Sequence, residues 1–330
     1  MKKFVNKIDD VLLESLEGFS DAFSDVVCLS KEPLFLYRKD NASDKPKVAL
    51  ISGGGSGHEP LHNGFVGYGM LDAACPGQVF TSPTPDQMIA AAQKVESGKG
   101  VLFIVKNYEG DVMNFEMATE MYEGKSATVI TNDDVAVEDS TWTTGRRGVA
   151  GTLVVEKIVG AAAEDGASLE ECRKLGEKVN KMTASMGVAL TSCTTPASGK
   201  PTFEIADNEM EMGVGIHGEP GRKRVKLLSA DEIASEMIDA ILKDLNPKNN
   251  SKLLLFVNGF GATPLMELTL LYNSAKKSLG SRFEVVRSLV GNYVTSLDMA
   301  GASITITVLD SEMQKYWDAP VHTAAIRWKR

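Results

Sequence analysis

The chain has few of the residues and segments on which several protein classes depend. Its four cysteines, Cys28, Cys75, Cys172 and Cys193, form neither a CxxC pair nor the spacing of a zinc site. Scattered thiols of this kind are typical of reduced, mostly buried cysteines in a reducing cytoplasm. No apolar run approaches the roughly 20 residues that span a bilayer, and the charged N-terminus lacks a signal-peptide apolar region. We therefore expect a cytoplasmic protein without a membrane segment.

Positive charge is also scarce. The 35 lysines and arginines are outnumbered by 44 acidic residues, which gives a net charge of −9. This balance argues against a nucleic-acid-binding or anionic-membrane-binding surface. A hydrophobic share of 43% is ordinary for a globular protein. Because 330 residues exceed the size at which one core keeps growing, two domains are expected.

The apolar pattern predicts an α/β fold. Short apolar runs at 48–52, 101–107 and 127–132 alternate with helical patterns, as in βαβ units of a parallel sheet. Helices are expected from Thr84-Pro85, where a capping residue precedes proline, and after Asp111, which stands where an N-cap would.

A change of composition around residues 182–201, rich in Thr, Ser, Ala and Pro, predicts a domain boundary. Beyond it, a helix is expected over 231–245 and a strand over 303–309. We predict two α/β domains, each a mostly parallel or mixed sheet flanked by helices. Residues 1–184 form the first, with a glycine loop, and residues 185–330 the second.

That glycine loop, ISGGGSGHEPLH at 51–62, follows a predicted strand and matches several motifs in part. A dinucleotide fingerprint needs glycine where His58 stands, a hydrolase elbow needs glycine two residues after Ser56, and a P-loop needs a lysine that is absent. What remains is a loop that presents His58 at the carboxyl end of a strand, where α/β sheets bind ligands. A tight turn with a capped histidine is the alternative.

The same stretch contains HEPLH, which fits the written form of a zinc-protease motif. That motif needs both histidines on one continuous helix. Pro60 disfavours a helical turn before it, and no third ligand follows His62 at suitable spacing. We therefore expect no metal site here.

A second histidine lies among glycines in GVGIHGEPGR, 213–222. His217-Gly218-Glu219-Pro220 repeats the His-Glu-Pro order of the first loop, and glycines allow a backbone to approach a ligand closely. His217 could be a base, a metal ligand or a nucleophile toward a carbonyl. Metal ligation ranks last, because no carboxylate cluster accompanies it.

The third element is KNYEGDVMNFE, 106–116. Lys106 ends a predicted strand and Asp111 follows a glycine turn. Asp111 could cap a helix. Alternatively, the pair could place a cation and a base near a substrate hydroxyl.

With these three motifs in this order, the chain resembles the K subunit of dihydroxyacetone kinase over essentially all 330 residues. Further matching stretches are CPGQVFTSPTPDQM (75–88), DDVAVEDS (133–140), GRRGVAGT (145–152), GATPLMEL (261–268), TSLDMAGASIT (295–305) and WDAPVHTAA (317–325).

The resemblance implies two α/β domains and a homodimer that binds dihydroxyacetone as a covalent hemiaminal. His217 would add to the ketone carbonyl. His58 and Asp111 would form hydrogen bonds with the substrate hydroxyls. Asp111 would be the base for the hydroxyl that attacks phosphorus. Lys106 and the backbone at Gly55 would also contact the ligand.

The resemblance also implies partners. No P-loop or kinase signature is present, so we expect no cofactor on this chain. ADP or ATP with Mg²⁺ would sit on a separate L subunit, rephosphorylated by a phosphotransferase-system M subunit that draws on phosphoenolpyruvate, although an ATP-using partner stays open. The expected role is a stand-alone substrate-binding subunit of a phosphotransferase. A non-catalytic co-activator of a transcription regulator is the chief alternative, and a dinucleotide-dependent oxidoreductase is the third.

Overall fold

The computed structural model describes residues 2–40, 45–136, 145–218 and 221–329. A six-stranded sheet forms most of the first half, in the order β1-β2-β5-β3-β6-β7. Its strands are β1 (Val27–Lys31), β2 (Leu34–Arg38), β3 (Ala49–Ser56), β5 (Ala73–Val79), β6 (Val101–Lys106) and β7 (Ser126–Thr131). The last four run parallel, and β1 and β2 pair antiparallel at one edge. The strands predicted at 48–52, 101–107 and 127–132 are confirmed as β3, β6 and β7.

A second six-stranded sheet has the order β10-β9-β8-β13-β11-β12 and is mixed, since only β11 and β12 pair in parallel. Its strands are β8 (Thr183–Ala189), β9 (Glu209–Met212), β10 (Lys223–Lys226), β11 (Lys252–Gly259), β12 (Glu284–Gly291) and β13 (Gly301–Leu309). The predicted fold class, α/β with parallel or mixed sheets flanked by helices, is confirmed.

A third, small sheet joins a segment of the first half of the chain to the C-terminal segment. It pairs β4 (Gly67–Tyr68) with β14 (Val321–Thr323), which pairs with β15 (Arg327–Trp328). The predicted boundary between residues 184 and 185 falls inside β8, so the second sheet begins just before it. The division into two domains at that point stays a prediction.

Helices occupy three layers around the two large sheets. The helices are α1 (Val11–Ala22), α2 (Pro85–Val95), α3 (Glu109–Met121), α4 (Gly151–Glu164), α5 (Leu169–Lys181), α6 (Ala230–Leu245), α7 (Leu265–Leu279) and α8 (Ser311–Trp317). Apolar side chains of α2 and α3 pack on one face of the first sheet, those of α4 and α5 on its other face, and those of α6 and α7 on the second sheet.

The central helix α4 is buried on every side from Gly151 to Ala163. A helix buried on every side is expected to be mostly apolar, which explains its run of Val, Ile, Gly and Ala, although Thr152, Glu156 and Lys157 are buried in it too. Close packing also needs a small residue, because a Cβ at Gly160 would lie 2.5 Å from the Cα of Met70. No helix in the described part of the chain is both long and apolar enough to cross a bilayer.

Two helix starts were predicted near the glycine loop, and their outcomes differ. At the start of α2 the predicted capping residue Thr84 and the proline in the first turn are confirmed, and the structure adds a capping box between Thr84 and Gln87. The prediction that Asp111 is an N-cap was wrong. Tyr108 is the N-cap of α3 and Asp111 lies in its first turn, where its carboxylate accepts a hydrogen bond from a lysine instead of from a helix N–H.

Candidate active site

A cleft of about 570 Å³ lies where the carboxyl ends of β3, β5 and β6 meet the loop that follows β9. This is the edge at which ligands bind open α/β sheets. The lining residues are Gly55, Phe80, Thr81, Ser82, Tyr108, Glu109, Gly110, Asp111, Asn114 and His217.

The glycine run at the end of β3 serves close packing of chain segments beside this cleft. A Cβ at Gly55 would lie 2.6 Å from the backbone nitrogen of Thr81. A Cβ at Gly54 would overlap the ammonium nitrogen of Lys106. The glycines therefore let a backbone turn and a lysine side chain approach the strand, which gives them a role that needs no nucleotide phosphate.

His58 is buried, with 1% of its surface exposed. Its Nδ1 donates to the backbone oxygen of Thr295, 2.8 Å away, since a carbonyl can only accept. Nε2 is therefore a bare acceptor, and it has no hydrogen-bond partner among the described residues. Burial, followed by the nearby His217 and the charge of Lys106, lowers the pKa of His58 well below its ordinary value. The ring is neutral, with an unused lone pair.

The backbone fixes His58 from a distant part of the chain. Thr295 donates its N–H to the carbonyl of His58 at 3.2 Å, and Leu297 donates to the carbonyl of Gly57 at 2.8 Å. Phe80 stacks on the His58 ring with centroids 5.2 Å apart. The loop after β3 is thus held between the end of β5 and the segment after β12.

His217 lies in the loop after β9 and is half-buried. Three rings meet it nearly at right angles: Tyr108 at 4.4 Å, His58 at 4.7 Å and Phe80 at 5.3 Å between centroids. Burial, followed by the positive charges of Lys106 and Arg147, lowers the pKa of His217 to about 3. At neutral pH the imidazole is uncharged, so one ring nitrogen keeps a nucleophilic lone pair.

A buried ion pair supports the His217 loop. Arg147 donates through Nε to Asp134 at 2.8 Å and through Nη2 to the carbonyl of Gly213 at 2.7 Å. Asp133 accepts from the backbone N–H groups of Val149 and Gly151 at the start of α4. Residues of the motifs at 133–140 and 145–152 therefore support the site through these hydrogen bonds. Residues 137–144 lie outside the described part of the chain.

Lys106 lies behind the cleft, fully buried. Its ammonium group donates to the carbonyl of Gly53 at 3.3 Å and to Asp111 Oδ2 at 3.4 Å. The other carboxylate oxygen of Asp111, Oδ1, has no hydrogen-bond partner among the described residues. Asp111 therefore offers the cleft an acceptor, while Lys106 reaches it only through Asp111.

The segment HEPLH forms turns, not a helix. His62 contacts Lys106 Nζ through Nε2 at 3.1 Å and Glu156 through Nδ1 at 2.6 Å, so both of its ring nitrogens have a partner. This geometry is not that of a zinc-protease helix. Within the described ranges, no group of three or more His, Cys, Asp or Glu side chains could hold a metal ion.

Four of the predicted site residues converge on the cleft: Gly55, Asp111 and His217 line it, and His58 contacts the His217 ring. Lys106 does not line it. Glu219 and Pro220 of the second loop lie outside the described residues.

Sequence reasoning missed Tyr108, Phe80 and Glu156. Tyr108 could have been found, since it lies inside the quoted motif KNYEGD. Phe80 gave no pattern signal: its backbone is left-handed, with φ of 55°, and its ring stacks on that of His58 from a distant part of the chain. Glu156 gave no signal because it stands beside Lys157 in a mostly apolar helix segment.

Comparison with known proteins identifies the family. The model of the Dak1 domain matches residues 17–325. The chain belongs to the Dak1 domain family. It is 47% identical, over 99% of both chains, to a subunit from Escherichia coli strain K12 named as the dihydroxyacetone-binding subunit of PEP-dependent dihydroxyacetone kinase. The predicted resemblance is therefore confirmed.

Two solved structures place the fold in the same group. The chain is 34% identical to the dihydroxyacetone kinase operon co-activator Dha-DhaQ, with a TM-score of 0.89 over 97% of this chain and 98% of that one. It is also 34% identical to the dihydroxyacetone kinase of C. freundii, with a TM-score of 0.86 over 98% of this chain and 60% of that one. Relatives thus include both a kinase and a co-activator.

Proposed function

We propose that this chain is the dihydroxyacetone-binding subunit of a phosphotransferase-system-dependent dihydroxyacetone kinase. It acts in the cytoplasm as a homodimer and binds its substrate covalently through His217. The nucleotide and Mg²⁺ belong to a partner L subunit, which an M subunit rephosphorylates from phosphoenolpyruvate. The two domains, 1–184 and 185–330, contribute the glycine loop and His217 respectively.

One observation carries the proposal: the neutral His217 imidazole contacts the ring of His58 and lines the cleft with Asp111. His58 Nε2 and Asp111 Oδ1 are buried acceptors that have no hydrogen-bond partner among the described residues. Unpaired buried acceptors are costly in a folded protein and indicate a missing hydrogen-bond donor. Dihydroxyacetone fits, because it carries one hydroxyl on each side of a ketone. Its carbonyl carbon would face His217, and its hydroxyls would donate to His58 and Asp111.

The covalent step balances without a cofactor. A lone pair of the His217 ring attacks the carbonyl carbon, a C–N bond forms, and the carbonyl π electrons move to oxygen. The proton of the ring N–H ends on that oxygen, so the hemiaminal is neutral. Glycerol has no carbonyl and cannot form this bond, so selectivity comes from chemistry as well as from shape. The bond also fixes the substrate and removes part of the entropic barrier.

Asp111 is the proposed base for phosphoryl transfer. As the substrate hydroxyl bonded to Oδ1 attacks phosphorus, its proton passes to the carboxylate, and the bond from phosphorus to the donor's oxygen breaks. Lys106 holds the other oxygen of this carboxylate. The backbone at Gly55 forms the floor of the cleft beside the substrate.

The proposal is tested by reconstitution. The purified chain is mixed with the L and M subunits, phosphoenolpyruvate and dihydroxyacetone, and dihydroxyacetone phosphate is followed over time. Product is expected only when all components are present and should be absent when glycerol replaces the ketone. Lack of product from the complete mixture would contradict the kinase assignment.

The similarity to the structure of a co-activator supports a second candidate function. In it, the chain would be a sensor that binds dihydroxyacetone without catalysis and acts as a co-activator of a transcription regulator. Both functions use His217, but a sensor has no need of a base beside the hydroxyl. The Asp111–Lys106 pair favours catalysis. A chain that forms the adduct but never supports transfer with an L subunit would favour the sensor.

A further inference from the structure

A line of buried polar groups runs from the cleft into the core of the molecule. It begins at Asp111 and Lys106 and continues through His62 to Glu156, in the middle of α4. None of these four side chains is more than 5% exposed. His62 and Glu156 do not line the cleft, and the proposed chemistry does not use them.

The donor and the acceptor of each hydrogen bond in this line can be assigned by starting from Lys106. An ammonium group has three donors and no acceptor. Lys106 Nζ has three acceptors around it: the Gly53 carbonyl at 3.3 Å, Asp111 Oδ2 at 3.4 Å and His62 Nε2 at 3.1 Å. His62 can accept this bond only if Nε2 carries no proton. A neutral His62 must then carry its proton on Nδ1, which donates to Glu156 Oε1 at 2.6 Å.

The protonation states agree with this arrangement. Burial, followed by the charges of Lys106 and His58, lowers the pKa of His62 well below its ordinary value, so the ring is neutral. Burial raises the pKa of Glu156 to about 8, opposed by the charge of Lys106. With either protonation state, the carboxyl group keeps an oxygen that can accept from His62.

We infer that Glu156 and His62 are positioning residues for the catalytic pair. Glu156 fixes the Nδ1–H tautomer of His62, and His62 Nε2 then holds the Lys106 ammonium against Asp111. The other tautomer would point an N–H at the ammonium group and push Lys106 away. Since Lys106 holds Asp111 Oδ2, the base would lose its orientation. This inference deepens the proposed function and rests on it for its kinetic consequence.

A purely structural role for Glu156 is a weaker explanation. A carboxyl group inside an apolar helix is costly to bury, and an apolar residue of similar volume is often as stable. Here the carboxyl group contacts His62, which in turn contacts Lys106, the lysine that holds Asp111.

The tautomer can be read directly by ¹⁵N NMR of histidine-labelled protein, since the chain has only four histidines. In the wild type we expect His62 with a protonated Nδ1. In Glu156→Leu we expect the signal to change to the Nε2–H tautomer or to a mixture. Glu156→Gln retains an acceptor oxygen and should keep the wild-type tautomer. A wild-type His62 protonated on Nε2, or an unchanged tautomer in Glu156→Leu, would overturn the inference even if the chain catalyses nothing.

The kinetic arm separates positioning from folding. In Glu156→Leu we expect kcat for phosphoryl transfer to fall roughly 10-fold or more, as for other lost tautomer-fixing partners, with little change in KM. Glu156→Gln should recover most of the loss. As a matched control, His322→Leu replaces a half-buried histidine in β14, away from the cleft, and should leave kcat unchanged.

The outcomes for the two proposals differ. Equal kcat values for wild type and Glu156→Leu would overturn the positioning role. A wild type that transfers no phosphoryl group would contradict the proposed function. The His62 tautomer, read by NMR, would still show whether Glu156 positions His62.

Discussion

Replacing Gly54 by alanine tests whether Lys106 is held where the structure places it. The new Cβ would overlap Lys106 Nζ, but it would lie 3.4 Å from Lys106 Cε, an ordinary contact. The ammonium nitrogen must therefore move, and its three hydrogen bonds, at 3.1–3.4 Å, have little room to lengthen. Each lost bond to a charged donor costs about 1.5–3 kcal/mol. We expect Gly54→Ala to lower the free energy of unfolding by about 2–4 kcal/mol.

The source of that cost is isolated by a double-mutant cycle with Lys106→Met. Methionine ends where the lysine Cε stands and has no atom at Nζ, so alanine at Gly54 should fit beside it. Urea unfolding of the four proteins should give a coupling energy of about 2 kcal/mol. Gly18→Ala in α1 is the matched control, because nothing lies within 4 Å of its Cβ. An equal cost of Gly54→Ala in both backgrounds would refute the reasoning, since the clash would then lie with the backbone.

Three further predictions follow from the protonation states and the base. Since the pKa of His217 is about 3 instead of 6.5, the fraction of protein carrying the adduct should be constant from about pH 5 to 8, and a loss below pH 6.5 would contradict a neutral imidazole. Glu156 has a folded-state pKa of about 8 against 4.5 unfolded, so the folded protein keeps a proton that the unfolded chain releases. As the pH rises from about 4.5 to 8, the free energy of unfolding of the wild type should therefore fall relative to that of Glu156→Gln, by up to about 1.4 kcal/mol per pH unit. Parallel pH–stability curves would show that Glu156 does not titrate in this window. Asp111→Asn should leave the adduct intact but slow phosphoryl transfer by roughly 10²-fold or more, and normal turnover would exclude Asp111 as the base.

The sequence predicted well what depends on local pattern. The apolar runs of the first sheet and the start of α2 at Thr84-Pro85 follow from periodicity and side-chain chemistry. The start of α3 was misplaced because Asp111, a good N-cap residue, forms its hydrogen bond with Lys106, which no local rule anticipates. Spacing along the chain could not show that Lys106 donates a hydrogen bond to the Asp111 carboxylate.

Contacts between distant segments were the least predictable. His58 is fixed by Thr295, and Lys106 is supported through His62 by Glu156, 94 residues away from that histidine. The sequence showed His62 only as part of an apparent metal motif, and Glu156 only as a charge in an apolar helix. The two residues meet only because α4 packs against the first sheet, which brings the carboxyl group of Glu156 to His62.

The central claim is that His217 captures the ketone covalently in this cleft. Intact-mass spectrometry of the chain with dihydroxyacetone, at neutral pH, tests it most directly. We expect one added ligand mass in the wild type and in Asp111→Asn, and none in His217→Ala. An adduct of unchanged abundance in His217→Ala would contradict the account.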